Sequence, residues 1–128
     1  MIVGLQQHQI VEVLPLLLPH LRAFADDDEE IEELVLGGMQ GNYQFFVFEN
    51  FSTLCITRVW EEGDERVLEI THLQGRCGRE GLRELDDLIQ AMQEHCGAKR
   101  IECLTERRID RLLKSVGWRH VLGDTWRR

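Results

Sequence analysis

An α/β domain, in which a mixed sheet is covered by helices, is the fold class that the sequence predicts, and three observations predict it. Apolar residues recur at helical spacing in residues 9–24 and again in residues 79–97, with strand formers concentrated between them. The strand-forming stretch, residues 42–73, is divided by the turn "EEGDE" around Gly63 and has the pattern of an antiparallel meander. Beyond three spaced glycines, Gly75, Gly78 and Gly81, the pattern alternates helix, strand, helix, strand to the end. At 128 residues, 43% of them hydrophobic, the chain is expected to form a single domain, residues 1–128, with a core of its own.

The elements follow from local spacing. In "QIVEVLPLLLPHLRAF" (residues 9–24), Ile10, Val13, Leu14, Leu17, Leu18, Leu21 and Phe24 make one wide apolar face. Pro15 and Pro19 fall inside it, which predicts a late start, a kink or two short pieces. Asp28 is placed to cap a second helix, with Ile31, Leu34 and Val35 inward and Gly37–Gly38 as its stop. Strands are expected over Asn42–Glu49, Phe51–Trp60 and Arg66–Leu73; in the last, Leu68 and Ile70 alternate with Glu69 and Thr71. "REGLRELDDLIQAMQEHCG" puts Leu82, Leu85, Leu88, Ile89 and Met92 on one helical face, with Arg83, Glu84, Asp86, Asp87 and Glu94 elsewhere. "KRIECLT" is a short strand, "ERRIDRLLKSVGW" a helix and "RHVLGDTWRR" one closing strand.

The charge is uneven. Residues 1–66 carry 13 acidic and 3 basic side chains, a net of −10, whereas residues 67–128 carry 10 and 12, a net of +2. "DDDEEIEE" (Asp26 to Glu33) reads as the acidic first turn of a helix, favoured by the helix dipole. Overall acidity argues against nucleic acid, since phosphate contacts need Lys and Arg. No apolar run approaches the ~20 residues of a membrane span. The opening residues lack the basic start of a signal peptide, so a cytoplasmic or intra-particle location is expected. Cys55, Cys77, Cys96 and Cys103 show no C-x-x-C spacing and are read as free thiols, with no metal site expected.

Residues 67–126 carry a resemblance. "LEITHLQGRCGREGLRELDDLI", "GAKRIECLT", "RIDRLLKSVGW" and "RHVLGDTWRR" resemble the C-terminal half of the GNAT N-acyltransferase superfamily. The resemblance implies a GNAT-like mixed central sheet with two N-terminal helices, an antiparallel meander and a helix–strand–helix–strand half. It also implies a Gly-containing loop that presents backbone N–H groups to the pyrophosphate of acyl-CoA. Here the loop offers Gln74, Gly75, Arg76, Cys77, Gly78, Arg79, Glu80 and Gly81, with glycines at every third position rather than the family's every second. The family's tyrosine proton donor falls at Leu113, the family's asparagine at the region of Thr105 and Glu106, and the chain's one tyrosine is Tyr43. Glu69 and His72, on the strand before the loop, are the candidate bases.

A narrower resemblance joins "CITRV", "LRELDDLIQAM", "HCGAKRIEC" and "IDRLLKSVGWRHV" to small GNAT-like proteins encoded by tailed bacteriophages. It implies a phage accessory or virion assembly protein acting by protein–protein contact, with phage-particle components as partners and no cofactor. Trp60, Trp118 and Trp126 are then candidate interface anchors. The alternative is an acetyl-CoA-dependent N-acetyltransferase acting on an amine or on a protein lysine or N-terminus. In that case Gln74, Gly75, Arg76, Cys77, Gly78, Arg79 and Gly81 hold the cofactor. The acidic N-terminal helices then attract a cationic amine.

Overall fold

The structure, a computed structural model, describes residues 2–25, 27–76, 78–104, 117–122 and 125–128. The elements run β1 (Ile2–Leu5), α1 (Gln7–Glu12), α2 (Leu14–Phe24), α3 (Asp28–Met39), β2 (Gln44–Phe48), β3 (Thr53–Glu62), β4 (Glu65–Gly75), α4 (Gly78–Cys96), β5 (Arg100–Leu104), β6 (Arg119–Leu122) and β7 (Thr125–Arg127). The predicted α/β class is the observed one: a seven-stranded mixed sheet in the order β1-β2-β3-β4-β5-β7-β6, with helices on both faces.

The meander is as expected, β2, β3 and β4 pairing antiparallel in sequence. Residues 2–5, which the pattern left unassigned, add β1 to the edge of β2, with Ile2 opposite Phe48. Four residues are too few to show a period of their own. On the other side β4 pairs β5 in parallel, which requires the crossover that α4 supplies. The C-terminal residues form two antiparallel strands, β6 and β7, instead of one. The helix expected over "ERRIDRLLKSVGW" falls largely on residues 105–116, outside the described residues.

The proline-bearing segment splits at Val13 into α1 and α2, one of the outcomes its two prolines predict. Pro15 sits at the start of α2, where its missing N–H costs no helix bond. The cap of α3 is Asp27 and not Asp28: the Asp27 carboxylate accepts from the Glu30 N–H at 2.9 Å. Gly37 and Gly38 do not stop α3, which continues to Met39. They are glycines of close packing: a Cβ on Gly37 would lie 2.7 Å from Cε2 of Tyr43, and one on Gly38 2.6 Å from Ile10.

The sheet separates two cores. Leu82, Leu85 and Ile89 of α4 pack on Cys55, Leu68, Ile70 and Ile101 on one face. Ile10, Leu17, Leu21 and Leu34 from the three N-terminal helices pack on Phe45, Val47, Leu54 and Ile56 on the other. Each fully buried aliphatic side chain contributes about 1.5–3 kcal/mol relative to exposure, so the two faces jointly fix which way every β3 and β4 side chain points.

Candidate functional site

The cofactor-loop residues fall at the ends of two elements and between them. Gln74 and Gly75 end β4, Arg76 follows it, and Gly78, Arg79 and Gly81 lie in α4. Cys77 lies outside the described residues. Gly75 has φ +117°, and a Cβ there would stand 2.7 Å from the Thr53 Cα and against the Ser52 carbonyl. The Arg76 N–H also donates to that carbonyl, at 3.4 Å. Gly75 is therefore a turn glycine that lets β4 lie on β3. Gly78 differs: φ is +64°, yet a Cβ would meet nothing within 4 Å. It opens α4 beside the exposed Arg79 and Glu80, and the first turn of a helix has no intrahelical acceptor for its N–H groups.

The β4–β5 ladder covers Val67–Ile70 against Arg100–Cys103. Among the described residues, Thr71 to Gly75 have no strand partner on that side, while β3 still pairs their other edge. This end of β4 is backed by packed core. Ile70, Leu73, Leu85, Asp86, Cys103 and Trp118 line a cavity of about 10 Å³, at the lower limit of what holds a single water. Burial, with the Glu69 charge adding to it, pushes the Cys103 thiol up to about 12.

Glu69 and His72 are brought together by an irregularity no periodicity shows. In a regular strand, residues three apart point to opposite faces. The β3–β4 register shifts between Ile56 and Thr57: Ile56 lies opposite His72 and Thr57 opposite Ile70, so Thr71 is an extra, bulged residue. Ile56 and Arg58 share a face of β3, and their partners His72 and Glu69 therefore share that face of β4. Arg58 pairs with Glu69 at 3.3 Å, and α3 brings Glu30 Oε1 to 4.0 Å from His72 Nε2. Burial lowers the His72 pKa below 6.5; the Glu30 and Glu69 charges push back up, and Arg58 adds to the lowering.

Two further polar groupings were missed in the sequence pattern. Asp86, expected on the solvent-facing side of α4, is 6% exposed. Its Oδ1 accepts from Trp118 Nε1 and from Arg128 Nε, both at 2.8 Å, and its Oδ2 accepts from Gln90 at 2.8 Å. Trp118 is thus a core residue satisfied from α4. Trp60 lies half-buried beneath the Arg58 guanidinium, 6.0 Å from it, and the Trp126 side chain is outside the described residues. At the far end of β5, Arg100 pairs with Glu62, Glu65 and Glu102, and Glu102 also accepts from Arg127 at 3.0 Å. Burial alone would raise the Glu102 carboxyl, but the hydrogen bonds from Arg100 and Arg127 outweigh it and leave it below 4.5.

These two shifts have the same sign in stability. A group whose folded pKa is depressed stabilises the fold above its unfolded pKa and loses that contribution as pH falls through the folded value. For His72 the loss begins below 6.5; for Glu102 it comes later, below 4.5. The thermal midpoint is expected to fall between about pH 7.5 and about pH 5, and glutamine at position 72 to flatten that limb. A midpoint constant over this range would show that His72 is not buried as described.

Among the described residues, no group of three or more His, Cys, Asp or Glu could hold a metal ion, and no helix is long and apolar enough to cross a membrane. No family model and no curated protein matches the chain. Solved structures do. A "probable acetyltransferase" superposes with a TM-score of 0.73 at 12% identity, over 95% of this chain and 91% of that one. A "predicted acetyltransferase" of Clostridium acetobutylicum, solved with acetyl-CoA, gives 0.72 at 10% identity over 94% and 90%. The ribosomal-protein-alanine N-acetyltransferase of Brucella melitensis biovar Abortus 2308 gives 0.66 at 17% identity over 96% and 98%. The chain has a GNAT-like fold.

Proposed function

We propose that the chain is an acetyl-CoA-dependent N-acetyltransferase whose acceptor is a cationic amine. One observation carries the reading: the edge of β4 that no described strand pairs, Thr71 to Gly75, ends within a few residues of the N-terminus of α4 at Gly78. Backbone amides at a helix N-terminus suit an anion such as a pyrophosphate. The likeness to solved acetyltransferases supports this alternative better than the phage-particle contact role, which no observation on the molecule favours.

The N–H groups of Gly78 and Arg79 would hold the pyrophosphate, with the exposed Arg76 and Arg79 side chains neutralising it. Acetyl-CoA, when bound, supplies the acyl thioester. The β4 edge offers backbone groups along which it can be aligned, and Glu69 and His72 stand on the same strand to manage the acceptor's proton. The exposed acids of α3 attract a cationic acceptor, as the N-terminal charge suggests.

Titration calorimetry with acetyl-CoA tests this. Binding is expected in the wild type, and Gly78→Asn is expected to weaken it at least tenfold (about 1.4 kcal/mol). Asparagine tolerates the left-handed conformation, so stability should change by less than about 1 kcal/mol. No heat from the folded wild type would overturn the proposal.

A further inference from the structure

We infer that the turn between β2 and β3, residues 49–52, is a strained support for the cofactor loop, and that His20 of α2 is the positioning residue that holds its shape. The inference rests on the acetyltransferase reading and deepens it by naming what fixes the loop before acetyl-CoA arrives. Asn50 and Phe51 have φ of +60° and +55°, and among the described residues they are the non-glycine residues in the left-handed region. Asparagine tolerates that conformation, whereas for a bulky phenylalanine it is an outlier that the surroundings must impose. Two anchors impose it. The Phe51 side chain packs, partly buried, against the core beneath the N-terminal helices. The Phe51 carbonyl lies 2.6 Å from His20 Nε2 and has no proton to give, so the ring nitrogen donates to it.

The residues that follow meet the loop. The Ser52 carbonyl accepts the Arg76 N–H at 3.4 Å and stands where a Cβ on Gly75 would fall. Thr53 pairs with Gly75 and is fully buried, yet its hydroxyl has no hydrogen-bond partner. It precedes Cys55 by two along the strand, which puts it on the α4 side of the sheet. Two left-handed residues and an orphaned hydroxyl therefore fall within Asn50–Thr53, directly across from the start of the loop. Each works against the fold, and such features persist where the surroundings over-determine them at a functional position. The path is short. His20 fixes the Phe51 carbonyl, Phe51 sets the direction of Ser52, and Ser52 holds Gly75 and Arg76, from which the chain reaches α4 at Gly78. A turn relaxed to negative φ would swing the Ser52 carbonyl away and leave the Arg76 N–H without its acceptor.

Asn50 gives the cleaner test, because its side chain is exposed and replacing it removes no packing. Asn50→Gly keeps the left-handed turn and should leave acetyl-CoA affinity within about twofold of wild type. Asn50→Val puts a β-branched residue at positive φ and should reshape the turn. In the ligand-free protein the Arg76 amide proton resonance should then move upfield as its acceptor is lost. Calorimetry should show acetyl-CoA binding weakened about tenfold. His20→Ala should reproduce both effects, and His20→Gln, whose side-chain amide returns an N–H donor, should recover most of each. In turnover, KM for acetyl-CoA should rise while kcat holds, a split that mere loss of folded protein does not produce. An Arg76 resonance unmoved by Asn50→Val and His20→Ala overturns the inference, as does unchanged acetyl-CoA affinity in both. A folded wild type that binds no acetyl-CoA overturns the acetyltransferase reading, and the positioning role with it. The ligand-free Arg76 resonance distinguishes that failure from a turn that does not support the loop.

Discussion

Asp86→Ala is expected to destabilise the protein by about 3–5 kcal/mol, the cost of leaving a buried charge network without its central acceptor. Asp86 is 6% exposed and takes three hydrogen bonds, from Gln90 on its own helix, from Trp118, and from Arg128 at the chain's end. Removing the carboxylate strands the Trp118 N–H within the α4 core and frees the Arg128 guanidinium. Arg128 is only partly exposed, so the cost divides between its guanidinium, left partly desolvated without the carboxylate, and the tryptophan N–H. Asp86→Asn keeps one acceptor oxygen and should cost about 1–3 kcal/mol. Urea unfolding followed by tryptophan fluorescence measures both. A loss under about 1 kcal/mol for alanine would mean that the network contributes shape but little stability.

Gly75→Ala should cost as much, about 3–5 kcal/mol, through two effects on one atom. A residue with a side chain is strained at φ +117°, worth about 1–3 kcal/mol. The new methyl would also press on the backbone of Ser52 and Thr53, which cannot rotate away as a side chain could. The damage should appear as fraying where Thr53 pairs with Gly75, read by hydrogen exchange at the end of β3. Gly78→Asn is the counterpart, also at positive φ but with open space around the glycine, so it should spare stability and reduce acetyl-CoA binding. If Gly75→Ala proved harmless and Gly78→Asn unfolded the protein, the roles assigned to the two glycines would be reversed.

Glycine spacing in "GRCGREG" could not separate these roles. A glycine required by a backbone neighbour and one left bare for a ligand are identical letters. What tells them apart is what a Cβ would touch, and Ser52, which decides it for Gly75, is more than twenty positions away in sequence. Gly37 and Gly38 teach the same lesson. They resemble a helix stop, but the Tyr43 ring and the Ile10 side chain explain them as contacts inside a helix that continues.

The sequence by itself determined the α/β class, the antiparallel meander, the Leu82-to-Met92 face of α4 and the break of the first helix near its prolines. These depend on periods and on backbone chemistry within a few neighbouring residues. Tertiary structure alone decided the rest. It added β1, since four residues make a strand only beside a partner. It moved Asp86 inward, because a carboxylate tolerates burial only when distant donors converge on it. It also put Glu69 and His72 on one face, because a bulge is the mismatch of two strands and neither strand's sequence alone records it.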